Sequence, residues 1–276
     1  MNFSFFYKPG GSGYIRGFQM ANYLGGKHNP TEGYENDICI YVKILPPENY
    51  PKHTYYDVDD SVKAVPWLKT HTDTGIIGIS LTACEYLQNT LKRDDIIFIP
   101  HQHVNFERWV RPLDRPVTNV GIIGSVTAFQ YPIDDLREKL RDVGLTLSYE
   151  PDYWVTYRST AQREMRLNIV DFHKTMDIQV VWRPHGFSAS QDPLRNPNKL
   201  GNASSFGIPT VAFPEVDYVD EWGGYFIEAW SIDQLISKCK RLKDDPAYYS
   251  FYANKALQRA EQYHIEKIAR IYRKLP

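Results

Sequence analysis

Short unbroken apolar runs alternate along the chain with segments of helical period. Phe3–Tyr7, Ile38–Val42, Gly75–Ile79 and Ile96–Pro100 read as strands, because each is apolar on consecutive residues rather than on alternate ones. The first is followed by Gly10-Gly11-Ser12-Gly13, a tight loop. Tyr14–Leu24 then fits a helix with Ile15, Phe18 and Leu24 near one face, and a second helix is expected around Ala83–Leu91. Continuous apolar strands interleaved with helices predict a parallel sheet covered on both faces.

Glu107–Pro116 has two prolines among its interior and end positions and no period, and is expected to be the linker between domains. After it the pattern begins again. Val120–Ser125 is a strand running into a glycine turn. A helix follows, with Pro132 near its start, Asp134 and Asp135 in its first turn, Ile133, Leu136, Leu140 and Val143 on one face, and Gly144 as its stop. Leu145–Leu147, Asp177–Trp182 and Thr210–Phe213 are further strands. Ser231 and Gln234 form a capping box for a helix carrying Leu235, Ile236 and Cys239. A last helix, about Ala253–Lys274, sets Ile265, Ile268, Ala269 and Tyr272 on one stripe. The whole reads as two similar α/β halves.

Composition narrows the function classes. The 276 residues suit one large domain or two compact ones, and 42% hydrophobic with 24% charged residues is ordinary for a globular chain. Lys and Arg total 32 against 33 Asp and Glu, a net charge of −1, so the broad positive field of a dedicated nucleic-acid binder is not expected. Cys39, Cys84 and Cys239 lie far apart, form neither a metal-ligand spacing nor a disulfide framework, and point to a reducing, cytoplasmic setting. No run approaches the roughly 18–20 apolar residues of a membrane span.

The most informative stretch is 193–215. It reads as a loop, a short helix, a glycine stop and a buried strand, with Asn196 as N-cap and Pro197 as the first helical residue. Free N–H groups at that helix start would form an anion site, with Lys199 one turn in and Asn202 three residues further on the same side. Arg183 ends the preceding strand, where a guanidinium can fork onto phosphate oxygens or pair with a neighbouring acid. In the first half, Gly11 and Gly13 can let backbone N–H groups approach a phosphate or hydroxyl, although the loop has neither a dinucleotide fingerprint nor a P-loop. His101 and His103 follow a strand at the edge where open α/β sheets hold ligands, two apart and so on one face of an extended segment. Either is a candidate base on a hydroxyl, and Asp57, Asp59 and Asp60 are alternative bases in what otherwise reads as a solvated acidic loop.

Lys199, Asn202-Ala203 and Gly207-Ile208-Pro209 resemble the donor-site helix of GT-B glycosyltransferases, a basic residue, an Asn-Ala or Glu-Ala pair, then Gly-x-Pro leading into a strand. Gly224-Tyr225-Phe226 and the long final helices are also similar to that family; the match covers about 178 to the C-terminus well and the first half loosely. The resemblance implies two Rossmann-like domains facing a cleft. These would be 1–112 on the acceptor side, 117–252 binding a nucleotide-sugar, and a terminal helix, 253–276, packing back on the first domain. It implies transfer of a sugar from a nucleotide-sugar to a glycan, lipid-linked or other hydroxyl acceptor, with no cofactor beyond that co-substrate and no metal. Gly11, Gly13, Ser125, Arg183, Lys199, Asn202 and Glu215 are then the expected donor contacts, and the proton acceptor is expected among His101, His103 and Asp60. One departure stands out: many retaining members have two glutamates with seven residues between them, and this chain has Leu194 and Asn202 there, with Glu215 the candidate substitute. A nucleotide-sugar epimerase or hydrolase, and a non-catalytic binding subunit, are the alternatives on the same fold.

Overall fold

The computed structural model describes residues 2–124, 129–150, 162–184 and 194–276. Phe3–Tyr7 (β1) is buried at every position, as a strand covered on both faces must be. Its neighbours are Lys27–His28 (β2) and Ile38–Val42 (β3), followed by Thr54–Asp57 (β4), Gly75–Gly78 (β5) and Ile96–Phe98 (β6). All pairings are parallel, in the order β2-β1-β3-β4-β5-β6. A second parallel sheet is built from Asn119–Ile123 (β7), Thr146–Glu150 (β8), Ile178–Val181 (β9), Thr210–Ala212 (β10) and Ile227–Glu228 (β11), in the order β11-β10-β9-β7-β8. These counts refer to the described residues. The expected two-sheet Rossmann-like architecture is therefore present.

The two sheets belong to two compact units. The first consists of residues up to Gln102, residues 194–196 and Ile265–Pro276; the second runs from His103 with residues 197–264. The chain thus changes unit at Gln102–His103, ahead of the proline-rich segment expected to link the halves. The reason lies in Arg111. Its guanidinium is fully buried in the second unit and donates from Nε to Asp177 Oδ1 at 2.8 Å. The single helix expected over 253–276 is two, Pro246–Ala260 and Ile265–Tyr272, separated by a 3-10 turn over Glu261–Tyr263. Only the second of them belongs to the first unit, where Tyr272 packs beside the Phe5 ring at a centroid distance of 5.9 Å.

Other local expectations are met by their physical cause. Leu136 and Leu140 are buried on the helix Ile133–Asp142, which stops before Gly144 at φ +72°. Ser231 Oγ accepts from the Gln234 N–H at 3.2 Å. The Gln234 side chain reaches back to the Trp230 N–H at 2.9 Å. After β1 the chain departs from the expected α-helix, since Gly13–Gln19 is a π-helix that passes into an α-helix over Met20–Leu24. Such wide turns are rare and occur frequently at functional sites.

Candidate functional site

Parallel strands place all their C-terminal ends on one edge, and ligands bind there where the strand order reverses. In the first sheet the reversal lies between β1 and β3. Lys8–Gly13, which follow β1, and Val42–Ile44, the last residue of β3 and the two after it, line a cavity of about 230 Å³. Gly11 and Gly13 line it. Gly13 has no room for a side chain, because a Cβ there would lie 1.9 Å from the Lys8 carbonyl oxygen.

Beside this cavity the ends of β3, β4 and β6 carry a chain of charged groups. Asp57, the last residue of β4, is fully buried against the equally buried Arg16 of the π-helix. Two residues on, Asp59 is 1% exposed and holds a φ of +45°, a left-handed conformation that costs a residue other than glycine some strain. Its Oδ1 lies 2.7 Å from His101 Nε2. The other ring nitrogen of His101, Nδ1, is buried and without a hydrogen-bond partner among the described residues. Burial by itself would raise the Asp59 carboxyl, but His101 beside it, with Arg16 and Ser12, holds it well below the usual carboxylate range. Lys43, also left-handed at φ +55°, pairs with the exposed Asp60 and stands 4.0 Å from Asp59 Oδ2.

Asp57 and Asp59 are thus not part of a solvated loop. Thr54–Asp57 is a buried strand whose terminal carboxylate has its own arginine. Asp60 is the exposed member of the three. His103, expected beside His101, belongs to the second unit, where its ring meets that of His264 edge-on at 5.3 Å. Burial lowers its pKa to about 3, with the charge of His264 a smaller cause.

In the second sheet the order reverses between β7 and β9. Gly124 follows β7; Ser125 lies outside the described residues. Arg183 follows β9 and Glu215 follows β10. The structure brings them together in a two-point ion pair, Nε–Oε1 at 2.8 Å and Nη2–Oε2 at 2.7 Å, with Nη2 also donating to the Tyr218 hydroxyl at 3.0 Å. The Arg183 side chain is 14% exposed and that of Glu215 2%. Phe213 and the exposed Trp230 meet edge-on at 5.7 Å, after β10 and β11. Neither Trp230 nor Tyr218 has a sequence pattern that marks it.

The helix expected to begin at Asn196–Pro197 is Asn198–Ser204, with Pro197 as N-cap and no side-chain cap, since proline has no side-chain oxygen to offer. Lys199 is half-buried in its first turn. Asn202 is 9% exposed, and its Oδ1 accepts from the Val104 N–H at 3.0 Å. Among the described residues no group of three or more His, Cys, Asp or Glu is placed to hold a metal ion, and no helix is long and apolar enough to cross a membrane.

Comparison with family models and with curated proteins finds no match by sequence. Comparison with solved structures does. The chain is similar to WaaG, a glycosyltransferase involved in lipopolysaccharide biosynthesis, with a TM-score of 0.58 at 12% identity over 98% of both chains. It is similar to HepE of Anabaena, solved in complex with UDP and glucose, with a TM-score of 0.58 at 11% identity over 99% of this chain and 98% of that one. TarM matches with a TM-score of 0.54 at 15% identity over 89% of this chain, which spans only 51% of TarM. These neighbours have two Rossmann-like domains in the GT-B arrangement.

Proposed function

We propose that this chain, which has the GT-B fold, transfers a sugar from a nucleotide-sugar to a hydroxyl acceptor. The observation that carries the reading is the buried His101–Asp59 pair at the C-terminal edge of the first sheet, with one imidazole nitrogen unpartnered. With Nε2–H donating to Asp59, Nδ1 carries the lone pair and can accept a proton. The carboxylate fixes that tautomer and stabilises the imidazolium that forms. In the transfer, the acceptor oxygen gives its proton to His101 Nδ1 and bonds to the anomeric carbon. The bond from that carbon to the diphosphate breaks, and the diphosphate leaves with the electron pair.

The charge that develops on the leaving diphosphate needs positive groups already in place. Lys199 and Arg183 are the residues of the second unit that we assign to it. Glu215 holds the guanidinium in a fixed plane through both of its carboxylate oxygens. HepE, solved with UDP and glucose, makes a UDP-sugar the first donor to try.

The test is turnover with a panel of UDP-sugars, with donor affinity measured separately. His101→Ala is expected to cut turnover by about 10²–10⁴-fold with donor affinity unchanged. Lys199→Ala is expected to weaken UDP-sugar binding by about 1–3 kcal/mol. Wild-type turnover in His101→Ala removes this histidine from the chemistry. Donor binding without turnover in any assay favours the non-catalytic binding subunit.

A further inference from the structure

The helix Ile265–Tyr272 has two faces of opposite kind. Ile265, Ile268, Ala269 and Tyr272 are buried in the first unit, and Leu275 beyond them is buried as well. Every exposed position from 265 to 274 is basic: Lys267, Arg270, Arg273 and Lys274. The helical turn carries on past Tyr272, since the Arg273 N–H donates to the Ala269 carbonyl and the Lys274 N–H to that of Ile271, each at 3.0 Å. Residues three, four and seven apart share one side of a helix, so the four charges form a stripe about 10 Å long.

Three other helices set their cations beside acids. Arg137 pairs with Asp134, Lys174 with Asp171 and Lys240 with Asp244, each within about one turn. None of the four cations of the stripe pairs with a described residue. Glu266, the one acid of this helix, is half-buried and pairs with none of them. The helix Met20–Leu24, which packs against it, has no charged residue and exposes Asn22 and Tyr23. In a chain of net charge −1, four cations are thus gathered on one face with no acid to offset them. Like charges held together repel, and an anion laid against them relieves the repulsion.

The form of the surface selects the anion. A strand of nucleic acid is followed by a positively charged groove that tracks its backbone. These cations stand instead on the outer side of a helix, which is convex, and none of them lines the cavity at the glycine loop. Clusters of about 4–8 Lys and Arg on an amphipathic helix are what an anionic lipid surface attracts.

We infer that this face of the first unit docks on an anionic phospholipid bilayer, with Lys267, Arg270, Arg273 and Lys274 against the lipid phosphates. The contact is electrostatic and superficial, because the apolar side of the helix is already used by the unit. It does not depend on the sugar-transfer reading, since none of its residues is assigned to donor or acceptor.

Sedimentation of the full chain with sucrose-loaded vesicles at low salt tests it. Binding is expected to phosphatidylglycerol vesicles and not to phosphatidylcholine vesicles. It should be lost at about 1 M salt, where the screening length is about 3 Å. One cation near an anionic surface is worth about fivefold in binding. Arg270→Gln should therefore weaken it about fivefold, and the combined Lys267→Gln, Arg270→Gln, Arg273→Gln and Lys274→Gln variant at least about a hundredfold. A control that removes the same charge from scattered exposed positions of this unit, Lys52→Gln with Lys63→Gln, Lys69→Gln and Lys92→Gln, should bind nearly as the wild type does. Thermal melts check that both combined variants are folded, and Arg270→Gln alone serves should the first of them not be. No binding to phosphatidylglycerol, equal binding to the two lipids, an equal loss in the scattered control, an unchanged Arg270→Gln, or tighter binding to poly(U) at equal phosphate would each overturn the proposal.

Discussion

Asp177 receives donors from both sides of its carboxylate, and Arg111, fully buried like Asp177 itself, is the innermost of them. Arg115 shares Oδ1 at 2.8 Å, and the N–H groups of Thr118 and Asn119 reach Oδ2, each at 2.8 Å. Tyr249 covers the guanidinium at 4.8 Å and donates to the Asp177 carbonyl at 2.7 Å. Removing one member of a buried pair leaves an uncompensated charge. Asp177→Ala is expected to cost about 3–5 kcal/mol in urea unfolding. Arg111→Met should cost less, because the carboxylate keeps Arg115 and two N–H donors. Equal losses would show that the carboxylate's other donors contribute nothing.

His173 provides a pH dependence of defined sign. Its ring is fully buried, stacks on Phe206 at 5.1 Å, and burial lowers its pKa to about 4. The unfolded histidine titrates near 6.5 and takes up a proton that the folded one refuses. Its contribution to stability is full above about pH 6.5 and is lost as pH falls toward about 4. Between pH 7 and 5 the wild type should lose about 2 kcal/mol more than His173→Phe, measured by urea unfolding at both values. Parallel losses in the two proteins would contradict the assignment.

Gly13 and Gly25 test two different reasons for glycine. Gly13→Ala meets the Lys8 carbonyl oxygen, a backbone atom that can yield only if the loop moves, and should destabilise by about 1–3 kcal/mol. Gly25 is left-handed at φ +68° with open space around it, so Gly25→Ala carries conformational strain alone, about 1 kcal/mol. Thermal melts of the two variants check the order.

The strands that were legible in the sequence are those whose burial is written in their own residues. Ile38–Val42 is apolar throughout and Ile178–Val181 at every position but Gln179, and both are found as expected. Thr54–Asp57 was not legible, because the burial of Asp57 depends on Arg16, forty-one residues away in the chain. The same long reach hid the roles of Asp59, which faces His101 from forty-two residues away, and of Asn202, whose partner Val104 is ninety-eight residues away. Arg183 and Glu215 could each be placed at a strand end from sequence. Their ion pair could not, since it depends on β9 and β10 lying side by side.

The first unit is closed by Ile265–Pro276, a segment that comes after the whole of the second unit. Tyr272 is buried beside Phe5, its hydroxyl 3.5 Å from Asp57 Oδ2, and the Tyr55 hydroxyl donates to the Pro276 carbonyl at 2.7 Å. Domains usually fold in the order in which the ribosome delivers them. Here that order is reversed: the second unit has all its residues once His264 has been added, while the sheet made first waits for Ile265–Pro276. A nascent chain that has emerged only as far as His264 would therefore carry a finished second unit and an unfinished first one, with the surfaces of Phe5 and Asp57 still uncovered.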